Sequence, residues 1–331
     1  MPIVSSKEKT NEAVRLISQF QTGNVTPLYM GDDPLFRWLS GIMVADLLPG
    51  TILTIGGLSN HGKTHFLQRL ENNIIKSNKD VVLLRCNWES NVYKLLSRTI
   101  VMETKISMKE LLLNEPKGTL KDSIKEICDR ERQEGLFYYE DSVDATQFIK
   151  DVGDFLAAHI DKKVVISIDH VGLVKGREKS AIDALFEAMN YLKKQHPYVV
   201  FIPLMQLERS KLLNRLGDHY KEAPNRSDFY GSDQLFQVSD GVIVVYNPYR
   251  ERQQEKYMKF LKGGFSYIDD SFKIGSDKYE HFDAEGNIFY HAVKARDIND
   301  MENFQSVFVE SIYKVKKEKP KELSTDDVLD F

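Results

Sequence analysis

The sequence predicts an α/β fold with a mostly parallel central sheet flanked by helices. Three observations carry that prediction. Short runs rich in Val, Ile and Leu alternate with helical stretches between residues 51 and 246. Those runs are apolar along their whole length, as strands covered on both faces of a parallel sheet are. One of them leads through a glycine loop directly into an amphipathic helix.

Residues 1–50 read as an arm. Ala13, Val14, Leu16, Ile17 and Phe20 share one side of a short helix that Gly23 would end. So short a helix is marginal alone and needs a surface, in its own chain or a neighbour's. Residues 34–50 carry Leu35, Phe36, Leu39 and Ile42, then turn at Leu47-Leu48-Pro49-Gly50. Residues 51–56 form a first strand and residues 64–76 a helix, with Phe66, Leu67, Leu70 and Ile74 on one face. Further strands are expected at 80–85, 136–139, 164–168, 198–204 and 241–246. Helices are expected at 93–102, 120–134, 148–160 and 181–195. Residues 248–285 are polar and read as hairpins or insertions around Gly263-Gly264, with Gly286-Asn287 at their end. Residues 289–293 and 305–311 alternate like late strands, and from Lys314 the chain reads as a disordered tail, acidic at its end.

With 331 residues, 42% hydrophobic and 28% charged, the chain has the balance of a soluble globular protein. No apolar stretch approaches the ~18–20 residues of a membrane span, and the start lacks a secretory leader. Cys86 and Cys128 form neither a metal-type pair nor a disulfide framework, which fits free thiols in a reducing, cytoplasmic setting. A net charge of −4 argues against coating nucleic acid by bulk charge, but leaves room for a local basic groove or channel.

The chemistry starts at Gly57-Leu58-Ser59-Asn60-His61-Gly62-Lys63-Thr64, a match to G-x-x-x-x-G-K-[ST] between a strand and a helix. In such a loop backbone N–H groups turn inward around a β-phosphate at the positive end of the helix dipole. Lys63 would reach the β- and γ-phosphates, and the Thr64 hydroxyl would hold Mg²⁺. Asp169 closes the strand 164–168. An apolar strand followed by Asp is the arrangement that sets a metal-holding carboxylate beside the phosphate loop, though it also describes an ordinary strand-end Asp. Glu89 lies just past the strand at 80–85. It reads as a general base at the tip of a strand beside the phosphate loop, or as a solvated loop residue. Gln206, at the end of its strand, reads as a reporter of the γ-phosphate or as a capping or core amide. The loop 207–232 carries Arg209, Lys211, Arg215, Lys221 and Arg226 among acidic residues, and so suits a phosphodiester backbone or plain solvent. Lys294 and Arg296 alternate along a strand end and so share a side. They read as fingers for a γ-phosphate or as the basic guard of an edge strand.

Taken together and in this order, these residues resemble the ATPase domain of the DnaB-type replicative helicases, the RecA-like superfamily 4 of P-loop NTPases, over about residues 25–312. Asn87-Trp88-Glu89-Ser90, with Arg98 beyond, is similar to S-L-E-M-S…R. Ile168-Asp169-His170-Val171-Gly172-Leu173-Val174 is similar to I-D-Y-L-Q-L-M. Met205 to Ser210 is similar to S-Q-L-N-R-S, the segments 226–229 and 237–242 to L-S-D-L…E-Q-D-A-D-V, and Val293 to Asp297 to A-K-N-R-N. The resemblance implies ATP and Mg²⁺ as cofactors and a hexameric ring moving 5′ to 3′ on single-stranded DNA in replication. Glu89, Lys63, Gln206, Lys294 and Arg296 would be catalytic, the last two completing a neighbour's site. Gly57, Ser59, Asn60, His61, Gly62, Lys63, Thr64, His65 and Arg98 would contact the nucleotide. Thr64 and Asp169 would hold the metal. Lys175, Arg177, Arg209, Lys211, Arg215 and Arg226 would face DNA in the pore. A primase, a loader or a single-stranded-DNA-binding protein would be further partners, and a membrane would not. The expected division is a helical arm or linker at 1–24, the ATPase domain at 25–313 and the tail at 314–331. With only the arm ahead of it, this is the layout expected of a compact, collarless version of phage or mobile-element type. The chain departs from the pattern at Phe236, where the family has Glu, and at His170-x-Gly172, where it has Tyr-x-Gln. A recombination mediator or assembly switch that hydrolyses ATP without unwinding is the alternative function, and a scaffold that keeps ATP only for assembly is a third.

Overall fold

A computed structural model describes the chain apart from residues 1–4, 23–24, 44–45, 177, 209–220, 223, 225, 230–232, 248–256, 262–278, 284–286, 296–305 and 312–331. The described helices are α1 (Ser6–Gln21), α2 (Pro34–Ile42), α3 (Lys63–Ser77), α4 (Val92–Thr104), α5 (Met108–Leu113), α6 (Thr119–Glu131), α7 (Ala145–Ala158), α8 (Lys179–Gln195) and α9 (Asp233–Val238). The strands are β1 (Leu53–Gly57), β2 (Val81–Asn87), β3 (Leu136–Tyr139), β4 (Lys163–Asp169), β5 (Val199–Gln206), β6 (Lys221–Glu222), β7 (Gly241–Tyr246), β8 (Tyr257–Leu261), β9 (Tyr279–Asp283), β10 (Asn287–Ala295) and β11 (Ser306–Ser311).

Eight strands form one sheet in the order β11-β10-β7-β1-β5-β4-β2-β3. The six from β7 to β3 run parallel, and β10 and β11 close one edge antiparallel. Each face carries its own core. On one, Val164, Ile166 and Ile168 of β4 pack with Phe148 and Val152 of α7 and Leu185 and Phe186 of α8. On the other, Val165 of the same strand packs with Phe66, Leu67 and Leu70 of α3 and Leu35 and Phe36 of α2. Burial on both faces is the physical reason for the continuous apolar runs.

The structure corrects one expectation about neighbours. The strand that leads to Glu89 does not lie beside the phosphate-loop strand, because β5 and β4 stand between β1 and β2. Asp169 ends β4, and β5 separates it from β1 as well. The other expected strands and helices are present with ends shifted by a few residues. The hairpin expected within 248–285 is present as β8 and β9, antiparallel from Tyr257↔Asp283 to Leu261↔Tyr279, with β6 alongside β8. Three helices, α2, α5 and α9, were not expected as elements. Asp33 caps α2 by accepting from the Leu35 N–H, and Pro34 opens it. Ser107 and Glu110 cap α5 reciprocally. The helix expected in the arm is α1. Val14 and Ile17, 59% and 55% exposed, are not covered by the described residues of this chain. Among the described residues, no helix is long and apolar enough to cross a membrane.

Arg85 of β2 ties the layers beneath the site. Its Nε donates to Glu71 of α3 at 2.9 Å, and its Nη1 donates to Glu131 of α6 and to the Tyr138 hydroxyl of β3. Ser167 of β4 joins through a hydrogen bond to Glu71. Burial raises the Glu71 carboxyl above its ordinary range, and Arg85 opposes that rise. The helix that starts at the phosphate loop is thus locked to the strands that carry Glu89 and Asp169.

Candidate active site

The loop between β1 and α3 sits at the carboxyl end of the parallel strands, where open α/β sheets bind ligands. Gly62 has φ +97°, a left-handed conformation open to glycine at no steric cost, and it lets α3 start at Lys63 with its free N–H groups facing the loop. The Lys63 ammonium folds back over the loop and donates to the Leu58 carbonyl at 2.8 Å. Burial lowers its pKa to about 8, against the opposing charges of Asp169 and Glu89. Those two carboxylates therefore lie within electrostatic reach of the lysine, although their strands are two and three places from β1.

Helix α3 closes that gap. The Thr64 hydroxyl hydrogen-bonds the Asp169 carboxylate. Asp169 is buried, and burial together with the charge of Glu89 raises its pKa to about 6. A hydroxyl and a carboxylate are hard oxygen ligands, the set that suits Mg²⁺ held jointly with phosphate oxygens, so these two residues fit the metal expected of them. A proton and the metal compete for the same carboxylate. Above pH of about 6 the carboxylate is ionised and open to the metal, and below it protonation weakens binding. Calorimetric titration of Mg²⁺ into the nucleotide-bound protein should show weaker affinity at pH 5.5 than at 7.5. The pH dependence left in Asp169→Asn belongs to the nucleotide; an equal dependence in both proteins would remove Asp169 from the metal site.

Glu89 is exposed on the turn after β2, and its backbone N–H donates to the Asp169 carbonyl at 3.3 Å. Gln206 is neither a core nor a capping amide. It stands in register with Gly57, and its Nε2 donates to Ser59 Oγ at 2.9 Å. Ser59 and Asn60 are exposed in the loop, and Arg98 is exposed on α4.

Two histidines assigned to the nucleotide have other surroundings. The His61 side chain is buried against β7. Its ring lies 5.2 Å from that of Tyr246, and Nδ1 accepts from the Asn247 N–H at 3.0 Å. It anchors the loop from behind, so only its backbone is left for a phosphate. His65 lines a polar groove along α3 with Arg69, Lys105, Tyr290 and Glu310.

Lys294 donates to the carbonyls of Phe236 and Ser239, the latter at 2.7 Å, at the carboxyl end of α9. In this structure its ammonium serves its own chain, where the partial negative charge of a helix end favours it. A bulge between Ala292 and Lys294 interrupts the pairing of β10 with β7 just before it. Lys175 is exposed at a turn, and the Arg226 guanidinium lies 4.9 Å over the Phe236 ring. Arg177, Arg209, Lys211, Arg215, Arg296 and the tail at 314–331 lie outside the described residues.

Both departures from the family pattern have structural accounts. Phe236 is buried edge-on to Phe229 at 5.1 Å and takes Arg226 on its ring. His170 turns back so that Nδ1 accepts from the Gly172 N–H at 3.0 Å, and a Cβ on residue 172 would come within 2.6 Å of the imidazole. The two changes belong together, since the histidine occupies the space a side chain at 172 would need. His170 is close enough to Glu89 and Lys63 to feel both charges, which sequence spacing did not signal.

Sheet order, glycine loop, folded-back lysine and the Thr64–Asp169 oxygen pair define a P-loop nucleotide-binding protein with a RecA-like core. The family model for the DnaB-like helicase C-terminal domain matches residues 36–268. The chain belongs to that family. Its fold is similar to a solved ATPase domain, with a TM-score of 0.67 at 16% identity over 93% of this chain and 95% of that one. It is also similar to a DnaB-like replicative helicase whose structure was described with its interactions with primase. There the TM-score is 0.65 at 16% identity, over 91% of this chain and 65% of that one. No curated protein sequence matches the chain.

Proposed function

We propose that the chain is an ATP-dependent DNA helicase or translocase, a hexameric ring moving 5′ to 3′ along single-stranded DNA in replication. The observation that supports this most is the gathering of Lys63, Thr64, Asp169, Glu89 and Gln206, from the ends of three strands and the start of one helix, at one end of the sheet in a member of this helicase family. Backbone N–H groups of the loop and Lys63 hold the triphosphate. Thr64 and Asp169 hold Mg²⁺, which when bound offsets the charge developing on the phosphoryl oxygens. Glu89 takes the proton of the attacking water. Gln206, already hydrogen-bonded to Ser59, reports the γ-phosphate to the segment that follows β5. Arg296, and Lys294 once it leaves the end of α9, complete the site of the next subunit. The exposed Val14 and Ile17 of α1 supply an apolar contact to a neighbour. Lys175, Arg177, Arg209, Lys211, Arg215 and Arg226 face the DNA backbone, and a primase, a loader or a single-stranded-DNA-binding protein completes the set of partners.

The test is ATP hydrolysis with and without single-stranded DNA at low salt, where phosphate contacts are strongest. Stimulation by DNA that falls steeply as salt rises, with displacement of a strand from a fork carrying a 5′ tail, is the expected result. Hydrolysis indifferent to DNA at low salt would overturn the proposal. Stimulation without displacement would favour a translocating or switching ATPase.

A further inference from the structure

Asn87 is the last residue of β2 and stands in register beside Asp169 of β4. Strand alternation puts its side chain on the same face as that of Arg85, which reaches α3. That is also the face on which Asp169 meets Thr64. Asn87 is only 3% exposed. Its Nδ2 donates to the Ser90 carbonyl and so closes the turn that carries Glu89. Its Oδ1 is buried and has no hydrogen-bond partner among the described residues. Buried polar atoms are rarely left so, and a bound ligand or water is a common explanation when they are. At this position the donor has to come from something held at the tips of β2 and β4.

We propose that Asn87 is a positioning residue for hydrolysis: its amide N–H fixes the turn that aims Glu89, and its Oδ1 accepts from a water held beside Asp169. The inference rests on reading this site as one that hydrolyses ATP. Glu89 sits on an exposed turn, and a general base on a turn works only if that turn is held. Nucleotide affinity, in contrast, comes from the loop between β1 and α3, three strands away in the sheet. The two halves of the Asn87 amide therefore act on turnover and leave nucleotide binding untouched.

Four proteins test this: wild type, Glu89→Gln, Asn87→Ala and Asn87→Ser, serine being the residue at this place in the S-L-E-M-S segment. Two quantities are measured, the Kd for a non-hydrolysable ATP analogue with Mg²⁺ and the single-turnover hydrolysis rate with saturating single-stranded DNA. Asn87→Ala should bind the analogue within about twofold of wild type and hydrolyse ATP ~10²-fold more slowly, the scale of a misplaced catalytic group. Asn87→Ser, whose hydroxyl both donates and accepts, should recover part of that loss. A wild-type rate in Asn87→Ala, or a fall in rate matched by a fall in analogue affinity, overturns the proposal. Should Asn87→Ala fail to fold, Asn87→Ser decides in the same way, a slower rate at unchanged affinity supporting the role and a wild-type rate refuting it. If wild type hydrolyses ATP and Glu89→Gln does not, the reading of the site stands whatever Asn87 does. A wild-type protein that binds the analogue but never hydrolyses ATP removes that reading, and this inference with it.

Discussion

Glu89→Gln should bind ATP as the wild type does and hydrolyse it about 10³-fold more slowly, within the range that general-base catalysis contributes. The amide has the size of the carboxylate and cannot take a proton from water. Affinity should survive because, on the proposed reading, Lys63 and the loop from β1 to α3 hold the triphosphate, and neither is touched by the substitution. The substitution also has a second consequence. The charge of Glu89 is one cause of the raised pKa of Asp169, after burial, so its removal lets the Asp169 carboxyl titrate lower than about 6. Mg²⁺ binding in Glu89→Gln should therefore resist acid better than in the wild type. Rapid-quench hydrolysis and calorimetric Mg²⁺ titration at pH 5.5 and 7.5 read the two effects separately. Wild-type turnover in Glu89→Gln would pass the role of base to another group, and His170 is a histidine that feels the charges of Glu89 and Lys63.

Arg85→Ala should cost about 3–5 kcal/mol of stability, the loss found when one partner of a buried ion pair is removed. Arg85, Glu71 and Glu131 all have side chains less than 10% exposed, so the substitution strands two carboxylates away from water. The loss should shrink as pH falls, because protonation relieves Glu71, whose carboxyl burial already raises and which has lost the cation that opposed that rise. Urea unfolding at pH 5 and pH 7.5 gives the comparison. A loss below about 1 kcal/mol at pH 7.5 would mean that water reaches Glu71 and Glu131 once the guanidinium is gone. Replacing the whole cluster by apolar residues of similar volume should cost far less than Arg85→Ala, since no buried charge is then left unpaired.

Local chemistry in this chain was legible residue by residue. Gly62 and Lys63 sit where the motif needs them, and the strand ends at Asp169 and Gln206 lie at the same carboxyl end of the sheet as the phosphate loop. The capping box at Ser107 and Glu110 was equally present in the sequence, yet α5 has six residues and buries none of them, too little apolar periodicity to mark a helix. His61 and His65 show the opposite limit. Their place in or just after the loop suggested nucleotide contact, while the direction of each side chain depends on partners far along the chain, Tyr246 and Asn247 for one and the groove wall at Tyr290 and Glu310 for the other. Lys294 is a similar case, since the Phe236 carbonyl it serves in α9 lies 58 residues earlier.

By itself the sequence determined that strands and helices alternate around a phosphate loop, and that Lys63 and Thr64 stand where that loop enters its helix and Asp169, Glu89 and Gln206 at or just past strand ends. Those features follow from backbone sterics and apolar periodicity, which act over a few residues. Only the tertiary structure decided which strands are neighbours. Strands buried on both faces are alike in composition, so nothing in β2, β4 or β5 states its place next to β1. Packing of α3 across the sheet and the hydrogen-bonded register of its strands set that order. They put Asp169 under Thr64, Asn87 beside Asp169, and Arg85 at the point where α3, α6 and two strands meet.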